Sequence, residues 1–252
     1  GFGNHTGSFN TYVGWRSGYG VADNANNSNT AVGYTTLTSI TTGSNNVAMG
    51  YNSSGLLTTG GSNVSLGTSA LEKNVTGNNN TAVGYQSQYG ASGDSHSNNT
   101  SVGYKSLLSI TTGGGNVAVG YKAGYSVTTG NQTIVGYEAG MSVTDTGTQL
   151  FVGYQAGKYV TGNYITALGH QAMGGGDTTA SNNGVSSTVA IGFRAFGGAT
   201  SASDDIDGHS SVAIGNNVME DVTTGSFNTG VGEQALKELT TGGNNVGVGY
   251  KN

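Results

Sequence analysis

Apolar and small residues return along this chain in short alternating runs, each closed by a glycine: Thr30-Ala31-Val32-Gly33, Val47-Ala48-Met49-Gly50, Val64-Ser65-Leu66-Gly67. The closing glycine recurs at Gly14, Gly33, Gly50, Gly67, Gly84, Gly103, Gly120, Gly136, Gly153, Gly169, Gly192, Gly215, Gly232 and Gly249. Its commonest step is seventeen, as from Gly33 to Gly50 and from Gly50 to Gly67. With that glycine as position 0, position −1 is always Val, Met, Leu or Ile. Position −3 is mostly Thr or Val, and −2 is mostly Ala, Ser or Gly. Period-two alternation predicts a strand. The larger residues at −3 and −1 are expected in a core, with −2 and the glycine on the opposite face. A second apolar mark precedes a Thr-Gly pair, as Ile40 before Gly43 and Ile110 before Gly113. Thr-Gly reads as a turn. Each repeat is therefore expected to hold two short strands and two turns.

A short fixed period means one unit stacked on itself, each copy touching mainly its neighbours. Seventeen residues trace roughly 56 Å of extended path, enough for one flattened coil around a thin apolar layer. The expectation is an all-β fold: a parallel β-solenoid of about 14 coils, spanning residues 1–252 as a single repeat domain. Composition agrees with a thin core. Apolar residues are 34% and charged residues 8%, with 47 glycines and no proline to interrupt a ladder. The phasing of the apolar residues argues against disorder.

Position −4 is Asn at Asn29, Asn46, Asn63, Asn80, Asn99 and Asn116, with Gln132 and Gln149 standing in later. Stacked amides can hydrogen-bond along the solenoid axis, so a structural ladder is expected. Position +1 is aromatic at Tyr34, Tyr51, Tyr85, Tyr104, Tyr121, Tyr137 and Tyr154, and also at Trp15, Phe193 and Tyr250. These rings are expected to stack coil on coil; the alternative is an exposed track that grips sugars or another surface. Position +2 is polar or basic and should face water. The small residues at −2 and 0 would let another backbone approach, so they are expected to face a partner chain in a homo-oligomer.

Two runs carry a family resemblance: Thr188-Val189-Ala190-Ile191-Gly192-Phe193-Arg194-Ala195 and Ser211-Val212-Ala213-Ile214-Gly215-Asn216-Asn217. Both resemble the Ser-Val-Ala-Ile-Gly repeat of trimeric autotransporter adhesin heads of the YadA type. The resemblance implies a left-handed parallel β-roll assembled as a trimer and displayed on a bacterial surface to bind host matrix or other cells. The regular tyrosine after the glycine departs from that family. The dialect Asn116-Val117-Ala118-Val119-Gly120-Tyr121 is similar to repeats in phage tail-fibre proteins.

Four insertions lengthen the step, near residues 20–27, 90–97, 174–186 and 197–210. Loops on solenoids often carry recognition, and several of the few acidic residues lie there. Asp94, His96, Asp177, Asp204, Asp205 and Asp207 are candidate receptor-loop residues. None shows a calcium-loop spacing, so solvated loops are expected and no metal site or cofactor. The four histidines fall in different coils without a nucleophile elbow or metal-type pair, so no enzyme is expected. Net charge is −5 without a basic stripe, which argues against nucleic acid. No apolar run reaches the ~18 residues of a membrane span. Both ends lie inside the repeat, the pattern expected of a processed product or a segment of a longer chain.

The expected role is a structural repeat segment of an extracellular fibre, an adhesin head or a phage tail fibre. It would be located at a cell surface or on a virion, with a cell-surface glycan or protein receptor held by the inserted loops. One alternative is a self-assembling surface filament or sheath subunit. A further alternative is an ice-binding solenoid, disfavoured here by the inward aim expected for Thr at −3.

Overall fold

A computed structural model describes residues 6–20, 25–91, 93–144, 147–174, 185–197 and 209–252. The fold is an all-β parallel β-solenoid, with fourteen strands in chain order among the described residues. They are β1 (Thr11–Val13), β2 (Thr30–Val32), β3 (Val47–Met49), β4 (Val64–Leu66), β5 (Thr81–Val83), β6 (Thr100–Val102), β7 (Val117–Val119), β8 (Gln132–Val135), β9 (Gln149–Val152), β10 (Ile165–Leu168), β11 (Val189–Ile191), β12 (Val212–Ile214), β13 (Thr229–Val231) and β14 (Val246–Val248). Contacts divide the chain into two units, Gly1–Lys122 with Thr128–Gly130, and Ala123–Val127 with Asn131–Asn252. Within each, like positions pair: Ala31 with Ala48 and Val32 with Met49 in the first, Ile134 with Phe151 in the second.

Among the described residues each repeat holds one strand, where two were expected. The second apolar stretch is a run of turns. Its residues at +2 and +4 take left-handed backbone, as Lys105 (φ 53) and Leu107 (φ 48) do. A left-handed residue breaks the pleat, so the segment curls around the core. Its backbone still bonds to the adjacent coil, with Leu37 N donating to Ser53 O at 3.2 Å and Lys105 N to Tyr85 O at 2.9 Å.

The strand faces are the reverse of the expectation. Ala31, Ala48, Ser65, Ala82, Ser101 and Ala118 at −2 are fully buried, while −3 and −1 point outward. Val47, Met49, Val102, Val117 and Ile214 are all more than a third exposed. The core is so thin that a small strand residue suffices, because the opposite wall supplies the bulk. Leu37, Leu71 and Leu107 at +4, and Ile40, Leu57 and Ile110 at +7, are fully buried.

That opposite wall explains every large residue at −2. Where −2 is Ala or Ser, +4 is often large: Ala31 with Leu37, Ala190 with Phe196, Ala213 with Met219. Where −2 is large, +4 is glycine: Tyr12 with Gly18, Ile134 with Gly140, Phe151 with Gly157. A Cβ on Gly157 would meet Phe151 Cδ1 at 2.6 Å, and one on Gly140 would meet Ile134 Cδ1 at 2.9 Å. In these coils the two walls share the core in different proportions, while Ala48 with Ser54 and Ala118 with Gly124 are small on both.

The closing glycine also has a different cause from the one expected. Gly50 (φ 131) and Gly67 (φ 135) occupy backbone that side chains rarely adopt. A Cβ on Gly50 would sit 2.6 Å from Gly67 O. The glycine is therefore demanded by the next coil of the same chain, and the thin face it was expected to offer a partner is absent.

Candidate functional site

The amide ladder forms in the first unit. Asn46 Nδ2 donates to Asn29 Oδ1 at 3.1 Å and to Gly60 O at 3.0 Å. Asn46 Oδ1 accepts from Asn63 N at 2.9 Å and Asn63 Nδ2 at 3.0 Å. Asn63 passes the same bonds to Asn80, and Asn99 to Asn116. All four hydrogen-bonding positions of Asn46 and Asn63 are thus used in a buried site, which is structural chemistry.

Both of the shorter insertions redirect that ladder. At Asn29 and at Asn99 the backbone N–H still reaches the preceding amide, Asn10 or Asn80. The side-chain amide turns instead to the residue at position +12, counted from the preceding closing glycine. Asn29 Nδ2 meets Asn26 Oδ1 at 3.3 Å, and Asn99 Nδ2 meets His96 Nδ1 at 3.5 Å. Asn74 Nδ2 also approaches His96 Nδ1, at 3.2 Å, and donates to His96 O at 2.7 Å. His96 is therefore a core residue, which corrects its placement among receptor-loop candidates. Burial pushes its imidazole down to about 4, partly offset by a backbone hydrogen bond involving Gln88. The amides that donate to Nδ1 favour the neutral ring.

Asp94 is half-buried and accepts from Ala91 N–H. Burial raises its carboxyl above the usual range. A backbone bridge ties it to Asn74, so it belongs to the coil wall. Asp177, Asp204, Asp205 and Asp207 lie outside the described residues. Among the described residues no group of three or more His, Asp or Glu could hold a metal ion. Among them, too, no helix is long and apolar enough to cross a membrane.

The rings at position +1 stack face to face. In the first unit Trp15, Tyr34 and Tyr51 form one stack, with centroids 4.6 and 5.4 Å apart. Tyr85, Tyr104 and Tyr121 form another, at 5.3 and 5.2 Å. In the second unit Tyr137, Tyr154, His170 and Phe193 make a third, at 5.3, 4.8 and 5.2 Å. The tyrosines are nonetheless exposed, from 37% at Tyr121 to 54% at Tyr51. Within a stack each ring covers its neighbour's face, so the exposed surface is a row of edges. The basic side chains that follow fold back over these rings: Lys105 Nζ lies 5.3 Å from the Tyr104 centroid and Lys122 Nζ 5.3 Å from that of Tyr121.

The outward aliphatic side chains at −1, those at −3 where it is Val, and the ring edges beside them make apolar patches along the described strands, interspersed with outward threonines. The inward assignment of Val and Met hid this surface in the sequence. The signal that would have found it is the exchange of bulk between −2 and +4. No family model, no curated protein and no solved structure matches this chain.

Proposed function

We propose that the chain is a structural repeat segment of an extracellular fibre whose copies associate through the outward strand face, three per fibre. The observation that supports this is the exposed aliphatic side chains of Val47, Met49, Val102 and Val117 in the first unit, with Ile214 exposed likewise in the second. Soluble monomers rarely leave a contiguous apolar surface of more than a few hundred Å² in water. A second copy of the same repeat offers the complementary rows at the same spacing. The number three comes from the resemblance of the Val-Ala-Ile-Gly runs to trimeric adhesin heads and to tail-fibre repeats. Attachment to a cell-surface receptor, at a bacterial surface or on a virion, is the role that such a segment serves.

The test is the mass of the full chain by light scattering, with Val102→Lys and Val117→Lys combined. Both side chains point to water, so the monomer fold should survive by circular dichroism. The expected result is a fall from three chains to one. An unchanged mass, or a native chain that is already monomeric, overturns the reading. Long filaments in electron micrographs would move it to a self-assembling sheath. An ice-binding role regains one argument, because Thr30, Thr81 and Thr100 face outward. Val47, Val64 and Val117 break that rank, and absence of thermal hysteresis removes the reading.

A further inference from the structure

The ring ladder of the first unit lacks one rung. Thr68 stands where the coils on either side carry Tyr51 and Tyr85. Tyr34 covers one face of Tyr51 at 5.4 Å with planes 3° apart, and Tyr104 covers one face of Tyr85 at 5.3 Å and 11°. The remaining face of each ring looks toward the Thr68 rank. Tyr51 and Tyr85 are both exposed, at 54% and 44%.

The backbone holds this gap open. Ser69 N donates to Tyr51 O at 2.8 Å, and Gln86 N donates to Thr68 O at 2.9 Å. Strand register is continuous across it, Met49 with Leu66 and Leu66 with Val83. Two strand spacings separate the walls by about 10 Å. A flat ring in contact with both walls would fill about 7–8 Å. A puckered six-membered ring with axial C–H groups is thicker and fits the remainder. Those C–H groups suit the electron-rich faces of tyrosine. Thr68 is exposed between the two walls. Gln86, next in sequence to Tyr85, carries an amide that can donate to and accept from hydroxyl groups, whereas Asn52 Oδ1 already accepts from Thr35 Oγ1 at 3.1 Å.

We propose that the missing rung at Thr68 is a binding slot for one hexopyranose ring of a glycan, held between Tyr51 and Tyr85. The second unit supplies an internal contrast. Asn216 and Glu233 replace rings in two successive coils between Phe193 and Tyr250. Three spacings separate those walls, about 14 Å, too wide for one ring to touch both. The inference gives a ligand class to the attachment role proposed above and rests on that reading; the two fail by different readouts.

The experiment is saturation-transfer NMR on the full chain with methyl β-D-glucopyranoside, methyl β-D-galactopyranoside and methyl α-D-mannopyranoside as separate probes. At least one should receive magnetisation from tyrosine ring protons, with Kd on the order of 1–10 mM. Thr68→Tyr restores the rung, so it should weaken binding at least about 10-fold while leaving the melting temperature at or above that of the parent. Tyr51→Ser removes one wall and should weaken binding similarly. Equal binding by Thr68→Tyr, or no transfer from any probe at about 50 mM, overturns the slot. Light scattering runs in parallel. If Thr68→Tyr lowers the assembly mass, the slot is filled by another copy of the chain and the glycan assignment falls. Loss of assembly in the Val102/Val117 pair with unchanged sugar binding would separate the slot from the fibre contact.

Discussion

The coils of β2–β7 and those of β8–β10 solve the same cross-section differently. The first set uses Asn at −4, keeps −2 small and fills the core mainly from the opposite wall. In the second set Gln132, Gln149 and Ile165 occupy −4, and the strands lengthen to four residues. Shorter steps enter as well, as from Gly120 to Gly136 and from Gly153 to Gly169. Ile134 and Phe151 then fill the core from the strand side. The longer glutamines still reach turn carbonyls, Gln132 Nε2 donating to Gly147 O at 2.7 Å and Gln149 Nε2 to Gly162 O. Both sets therefore use turn carbonyls as acceptors and fill the core from one wall or the other, and the residue that meets each demand is negotiable.

That contrast can be broken most severely at the amide ladder. Asn63→Leu keeps the shape and strands the partners of four buried hydrogen bonds. It should cost about 3–5 kcal/mol in urea unfolding, against about 1–2 kcal/mol for Gln149→Leu. Equal costs would show that the two sets rest on the same bonds. Next comes the exchange of bulk. Gly157→Leu beside an unchanged Phe151 should cost about 3 kcal/mol, and adding Phe151→Ala should recover most of it. Purely additive costs would sink the shared-volume account.

In the first set, the pH dependence set by His96 is comparable in size. His96 titrates at about 4 when folded and near 6.5 when unfolded. Between those values the unfolded chain binds the extra proton. Stability therefore falls as pH drops through 6.5 and levels off below 4, by up to about 3 kcal/mol in all. His96→Asn, which copies Asn26 of the other coil with a short insertion, should flatten that slope in acid titrations followed by circular dichroism. Smallest is the ring stack: Tyr104→Leu should lower stability by about 1 kcal/mol, and a neutral result would make the ladder dispensable to the fold.

The solenoid, its parallel order and its period were legible because the closing glycine marks every coil. The amide and ring ladders were legible too, since a residue type repeated at one register must stack on itself. Strand orientation was not. Large-inside is a sound rule for a thick core, but here Val32 and Met49 lost the interior to Ala31 and Ala48 because Leu37 and Ile40 had already filled it. The second strand failed for a related reason. Apolar content at Leu37 and Ile40 reads as strand, while left-handed backbone at a leucine leaves no mark in composition. His96 stood in an acidic insertion and looked exposed; only its register, as far beyond Gly84 as Asn26 is beyond Gly14, points inward.

The close approach of one closing glycine to the next has a consequence for how such a chain changes. The short step from Gly153 to Gly169 and the long one from Gly169 to Gly192 return to the same pairing. Leu150 meets Thr166 across the first, and Thr166 meets Val189 across the second. Segment length is thus uncoupled from alignment. New sequence can be grafted between coils, or whole coils gained and lost, without rewriting the interior. A single methyl group on Gly50 or Gly67 enjoys no such tolerance, so length and ornament are physically cheap to change while the punctuation is not.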